Sequence, residues 1–91
     1  GMTRIDLTEQ GFIVEAQELA AAFGVEPGQV PELMRANRIT TRCETGEGED
    51  AGRHRLTFFF RNQALRLTVD AEGTILKRAR FDVPARNAGA R

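Results

Sequence analysis

The spacing of apolar residues changes twice along the chain, and each change separates one kind of element from the next. Ile5-Asp6-Leu7 alternates, Glu9-Gln10-Gly11 offers a three-residue loop with glycine at the left-handed position, and Phe12-Ile13-Val14 is β-prone. A short N-terminal hairpin is expected there. Ala16, Leu19, Ala20 and Phe23 then stand at i, i+3, i+4 and i+7, the apolar stripe of a helix that Gly24 ends. Val30, Leu33 and Met34 keep helical spacing in a second helix. Pro31 suits its first position, where an N–H would find no partner in the helix, and Asn37 closes it.

From Arg38 to Val83 the pattern reads as strand four times, and the turns suggest a register. With the acidic, glycine-rich stretch Glu44 to Arg53 as the first connection, Ile39 faces Phe58, Thr41 faces Leu56 and Cys43 faces His54. Asn62-Gln63 as a two-residue turn sets Phe60 against Leu65, Phe58 against Leu67 and Leu56 against Val69 on the same face. Ala71-Glu72-Gly73 makes another glycine-ended loop, bringing Ile75 opposite Val69 and Ala79 opposite Leu65. One position breaks the pattern: Lys77 falls opposite Leu67, a charge on the apolar face. The expectation is an α+β fold, a four-stranded antiparallel meander, extended or not by the N-terminal hairpin, with two helices packed on one face. Residues 1–83 form its single domain, and residues 84–91, which carry no pattern, are expected to fray. Gly1 reads as a cleavage scar before a native Met2.

Composition narrows the function classes. Of the 91 residues, 41% are hydrophobic and 29% charged, values of an ordinary globular chain, and no apolar run approaches the roughly 20 residues of a membrane helix. A membrane protein and a membrane partner are not expected. Thirteen basic residues cancel thirteen acidic ones, which argues against a protein built mainly to neutralise nucleic acid. The charges are nonetheless segregated: residues 1–52 hold four arginines against ten acids, and residues 53–91 hold nine basic residues against three acids. Opposite halves of two copies should attract. The lone Cys43 cannot form an internal disulfide, so a cytoplasmic setting is expected. Serine, tyrosine and tryptophan are missing and there is one histidine, which leaves little material for catalysis. Gly46, Gly48 and Gly52 are spaced by acids that would repel a nucleotide. Neither an enzyme nor a cofactor is expected.

Three constellations are candidates for function. In the register above, the sheet face away from the helices carries Arg42 beside Arg55, and Phe59, Arg66 and Arg78 in a row, with Arg80, Thr57, Thr68, Leu76 and Asp70 around them. Arginines flanking an aromatic ring bind carboxylate, phosphate or stacked bases by bidentate hydrogen bonds and cation–π contact. Side by side, Arg42 and Arg55 would repel unless Asp70, an anion or a partner's acid lies between them. Cys43 and His54, near Glu44, Glu49 and Asp50, could hold zinc or sense redox state, although no short Cys or His spacing motif supports them.

The third constellation rests on a local resemblance. In residues 16–33, Leu19, Ala20, Phe23, Gly24, Val25, Val30 and Leu33 occupy positions similar to those of a helix-turn-helix. That likeness implies a nucleic-acid-binding regulator acting through residues 16–36, with Gln29, Arg35 and Arg38 as contacts. Glu26 and Glu32, and Pro31 inside the second helix, depart from the pattern. Glu18-Leu19-Ala20 with Phe23-Gly24-Val25, Arg55-Leu56-Thr57-Phe58 and Arg66-Leu67-Thr68-Val69-Asp70 give the chain as a whole a resemblance to a small uncharacterised bacterial family, a domain of unknown function. That resemblance implies no activity, ligand or catalytic residue. The leading expectation is an accessory or regulatory domain that binds another protein or itself, as a homodimer, through the arginine-rich sheet face.

Overall fold

A computed structural model describes residues 6–8, 11–46 and 48–84. The element order is β1 (Asp6–Thr8), β2 (Gly11–Ile13), α1 (Ala16–Phe23), α2 (Val30–Arg35), β3 (Ile39–Thr45), β4 (His54–Phe60), β5 (Gln63–Val69) and β6 (Ile75–Asp82). β3 to β6 form an antiparallel sheet in chain order, the expected meander. The N-terminal hairpin is a separate two-stranded sheet and does not extend it. Its register pairs Thr8 with Gly11, a two-residue connection where a three-residue one was expected, and that connection lies outside the described residues. The expected frayed tail lies outside them too, except for Pro84.

Both helix ends form for the expected reasons. Gly24 takes φ 71°, and its N–H and that of Val25 donate to the Ala20 carbonyl at 2.9 and 3.2 Å. Asn37 takes φ 61° after α2. Its N–H donates to Met34 O and that of Arg38 to Leu33 O, the paired bonds of a Schellman end. Pro31 sits in the first turn of α2, directly after a 3₁₀ turn at Pro27–Gln29, and there disrupts no bond of the helix.

The core lies between the helices and one sheet face. Leu19, Ala20, Phe23 and Val30 pack against Ile39, Leu56, Phe58, Phe60, Leu65, Leu67 and Val69, all buried. Phe23 meets Phe60 with ring centroids 5.4 Å apart. The helices are short, about 12 Å and 9 Å at 1.5 Å per residue, against strands of about 23 Å. They therefore cover only part of the sheet, and β3 beyond Ile39 is exposed from Thr40 to Cys43.

The faces of β3, β4 and β5 are as expected, but the register is not. Ile39 faces Phe60, Thr41 faces Phe58, Cys43 faces Leu56 and Thr45 faces His54. Phe60 faces Gln63, Phe58 faces Leu65 and Leu56 faces Leu67. Both ladders are displaced by two residues, a shift that keeps every side chain on its face. The β4–β5 turn is Arg61-Asn62, with Arg61 at φ 59°, and not Asn62-Gln63. The β5–β6 turn holds: Asp70 N–H donates to Thr74 O at 3.0 Å, and Gly73 takes φ 88°.

The irregularity at Lys77 has a structural cause. Val69 faces Ile75 as expected, but Thr68 faces Lys77, so Leu76 is an extra residue in a β-bulge. Beyond it the parity of β6 inverts. Lys77, Ala79 and Phe81 join the open face, whereas Arg78 and Arg80 come opposite Leu67 and Leu65 on the helix face. There Arg78 pairs with Glu18 of α1, and Arg80 Nη1 donates to the Ala22 carbonyl near the negative end of that helix at 3.3 Å.

Candidate functional site

The helices leave one side of the sheet open, and three cross-strand rows describe it. Thr40, Phe59, Ala64 and Phe81 form the first, Arg42, Thr57, Arg66 and Ala79 the second, and Glu44, Arg55, Thr68 and Lys77 the third. Ala64 and Thr57 are buried beneath their neighbours, while Phe59 and Phe81 are half-buried. Arg66 lies with its guanidinium carbon 5.1 Å from the Phe81 ring centroid, and its Nε donates to Thr57 Oγ1 at 3.3 Å. That stacking and that hydrogen bond hold the Arg66 charge flat against an aromatic floor.

Four of the six arginine-face residues read from the sequence stand here: Arg42, Arg55, Phe59 and Arg66. Arg78 and Arg80 do not, because the bulge at Leu76 turns them to the helices. The pairing of Arg42 with Arg55 is also corrected. Arg55 stands opposite Glu44, with Nε 3.9 Å from its carboxylate, and Arg42 stands opposite Thr57. No counter-ion from Asp70 is needed, and its carboxylate instead accepts the N–H groups of Glu72 and Thr74 at 2.9 Å, closing the turn. Among the described residues Arg42 makes no ion pair. Phe81 and Lys77 were not placed on this face from the sequence. The signal was the charge left opposite Leu67: the inserted residue moves Lys77 to the open face and sets Arg78, which pairs with Glu18, in its place.

At its β4–β5 turn the face runs into a groove of about 500 Å³ lined by Asn37, Arg38, Thr40, Phe59, Phe60, Arg61 and Val83. The groove brings together the two non-glycine residues with positive φ among those described, Asn37 and Arg61. Arg61 lies 5.0 Å over the Phe60 ring, and neither it nor Arg38 makes an ion pair among the described residues. Two guanidinia, an amide and a hydroxyl around aromatic walls suit a carboxylate or phosphate attached to an apolar group.

The other two constellations are dispersed. Cys43 is exposed opposite Leu56, not beside His54 in the core. His54 Nδ1 lies 3.4 Å from Thr45 Oγ1 instead. Among the described residues no group of three or more His, Cys, Asp or Glu is placed to hold a metal ion. In the helix pair, Gln29 accepts the Glu26 N–H at 2.9 Å and Arg35 is paired with Glu32, while Arg38 has moved to the groove. α2 has six residues, under two turns, which is short for a helix that lies along a DNA groove. Among the described residues Arg78 is the one titrating group with a clear shift: its hydrogen bond to Glu18 holds its charge more firmly than in a free arginine.

Among the described residues no helix is long and apolar enough to cross a membrane. A family model described as a family of unknown function, DUF6522, matches residues 2–89. This agrees with the resemblance to an uncharacterised family and adds nothing to the local helix-turn-helix likeness. No curated protein and no solved structure gives a match.

Proposed function

The chain belongs to DUF6522, a family of unknown function, and from that premise we propose that it is a non-enzymatic binding domain whose open sheet face docks an acidic segment of another protein. The observation that carries this reading is that, among the described residues, both helices pack on the same side of the sheet. Among the described residues the other side holds Arg42, Arg55, Arg66 and Lys77 against the carboxylate of Glu44, around half-buried Phe59 and Phe81. An antiparallel sheet tolerates a solvated face, but half-buried aromatic rings beside Arg42, which makes no ion pair among the described residues, and beside Arg66, stacked on Phe81, gain from a partner that brings carboxylates and removes the rings from water. Arg38 and Arg61 extend the same chemistry into the groove. A protein partner suits the face better than nucleic acid, because the chain has no net positive charge and Glu44 stands among the basic residues of the face. We place this domain in the cytoplasm, where an exposed lone thiol such as Cys43 stays reduced.

The test is a titration of isotope-labelled protein with a glutamate-rich peptide, followed by NMR, with duplex DNA and inorganic phosphate in parallel. Shifts of Arg42, Phe59, Arg61 and Arg66 by the peptide, lost in Arg42→Glu with Arg66→Glu, are expected. Shifts confined to the helices, or tighter binding of the duplex than of the peptide, overturn the proposal.

A further inference from the structure

The two edges of the sheet differ. β6 carries the bulge at Leu76 and the exposed charges Lys77, Arg78 and Arg80, all devices that discourage another strand from pairing. β3 is less guarded: it is seven residues long, runs without a bulge against β4, contains no proline and no lysine, and its two charges, Arg42 and Glu44, are of opposite sign. No strand pairs with its outer edge among the described residues. Its three threonines and one isoleucine favour a pleated conformation.

Backbone direction limits what can pair there. Gly46 N–H donates to Arg53 O at 2.8 Å, in line with the β3–β4 register, so the even-numbered residues of β3 bond to β4. The odd-numbered residues Thr41, Cys43 and Thr45 therefore present their N–H and C=O groups outward. A second antiparallel copy of β3 must match odd with odd, which leaves three central registers. One sets Arg42 against Arg42 of the second copy, and another sets Glu44 against Glu44. The third sets Arg42 against Glu44 of the second copy and, by the two-fold axis, Glu44 against Arg42. Of the three, this one pairs opposite charges, and it gives Arg42 the ion-pair partner it lacks among the described residues.

We infer that the protein pairs with a second copy of itself along β3 in this register, forming one continuous eight-stranded sheet. Cys43 then faces Cys43 of the second copy on the axis, as a hydrogen-bonded pair with Cα atoms about 5.5 Å apart. Thr41 faces Thr45 of the second copy on each side. The two open faces lie on the same side of the joined sheet; Arg42 belongs both to the pairing and to the site proposed above, whereas Phe59 and Arg66 belong to that site alone, so Thr41→Pro tests the pairing and Arg66→Glu the site separately.

Cys43 is the single cysteine, so a bifunctional thiol reagent reports the contact without background. Sedimentation of the full chain at micromolar to submillimolar concentration should show a dimer. Dibromobimane, which fluoresces strongly once both its arms have alkylated thiols, should join the two chains. Thr41→Pro removes an outward N–H that β4 does not use, and should give a monomer with unchanged circular dichroism. Arg42→Glu or Glu44→Arg alone should weaken the dimer about tenfold or more, and the two together should restore it. A chain that stays monomeric, a dimer that dibromobimane does not join, or charge reversals that fail to compensate would each overturn the inference.

Discussion

Arg78 of β6 grips Glu18 of α1 with two hydrogen bonds, Nε to Oε1 at 3.1 Å and Nη2 to Oε2 at 2.8 Å, across sixty residues of sequence. The contact exists because one extra residue in an edge strand turns Arg78 toward the helices. With Arg80 on the Ala22 carbonyl, it ties α1 to the far edge of the sheet. Glu18 is mostly covered, whereas 44% of the Arg78 side chain remains exposed.

A double-mutant cycle with Glu18→Gln and Arg78→Gln should therefore give a coupling of about 0.5–1 kcal/mol, between an exposed and a covered pair, and less at high salt. The Arg78 guanidinium has its proton affinity raised by Glu18. A raised value means that its contribution is complete below the ordinary arginine range and is lost only as pH rises through the folded value. Thermal unfolding should accordingly show no loss from Arg78 across neutral pH. A cycle with no coupling at low salt would show that the pair does not stabilise α1.

Arg61 separates stability from binding. A non-glycine residue at φ 59° is strained by roughly 1 kcal/mol, and its contact with Phe60 returns about 0.5–1 kcal/mol. Arg61→Gly should thus change the melting temperature little in either direction, while weakening capture of an acidic peptide in the groove. A large loss of stability would mean that the Phe60 contact outweighs the backbone strain.

Leu67 and Leu76 test the inside and outside of the same sheet. Leu67 is fully buried under the helices, and Leu67→Ala should cost about 2–5 kcal/mol, a large share of the roughly 5–14 kcal/mol expected for a chain of this length. Leu76 is 48% exposed in the bulge, and Leu76→Ala should stay within about 0.5 kcal/mol. Urea unfolding distinguishes the two, and equal losses would contradict the burial of Leu67.

Side-chain alternation identified the buried set Leu56, Phe58, Phe60, Leu65, Leu67 and Val69, because period two assigns faces whatever the offset along the strands. That same insensitivity hid the two-residue displacement, and with it the pairing of Arg55 with Glu44 and the distance of Cys43 from His54. Offset is decided by turn geometry. Arg61 at a left-handed position is a turn that residue preference does not suggest, since asparagine and glycine are favoured there. The helix ends at Gly24 and Asn37 were readable because their chemistry is local. The open face was half readable: Arg42, Arg55, Phe59 and Arg66 follow from alternation, but Phe81 and the loss of Arg78 and Arg80 follow only from the bulge. The groove joins the end of α2 to a strand turn more than twenty residues later, a proximity that no local pattern encodes.

The residue inserted at Leu76 also sets an upper limit on growth. A sheet with two receptive borders adds subunits head to tail without end, as fibres do. In the four-stranded sheet one border is receptive and the other is kinked and charged, so joining along β3 uses up its receptive border, and growth of that sheet halts at two copies. Removing Leu76 would leave Lys77 opposite Thr68 and both faces intact, yet straighten the guarded border. Only the charges of Lys77, Arg78 and Arg80 would then stand between this small domain and a filament.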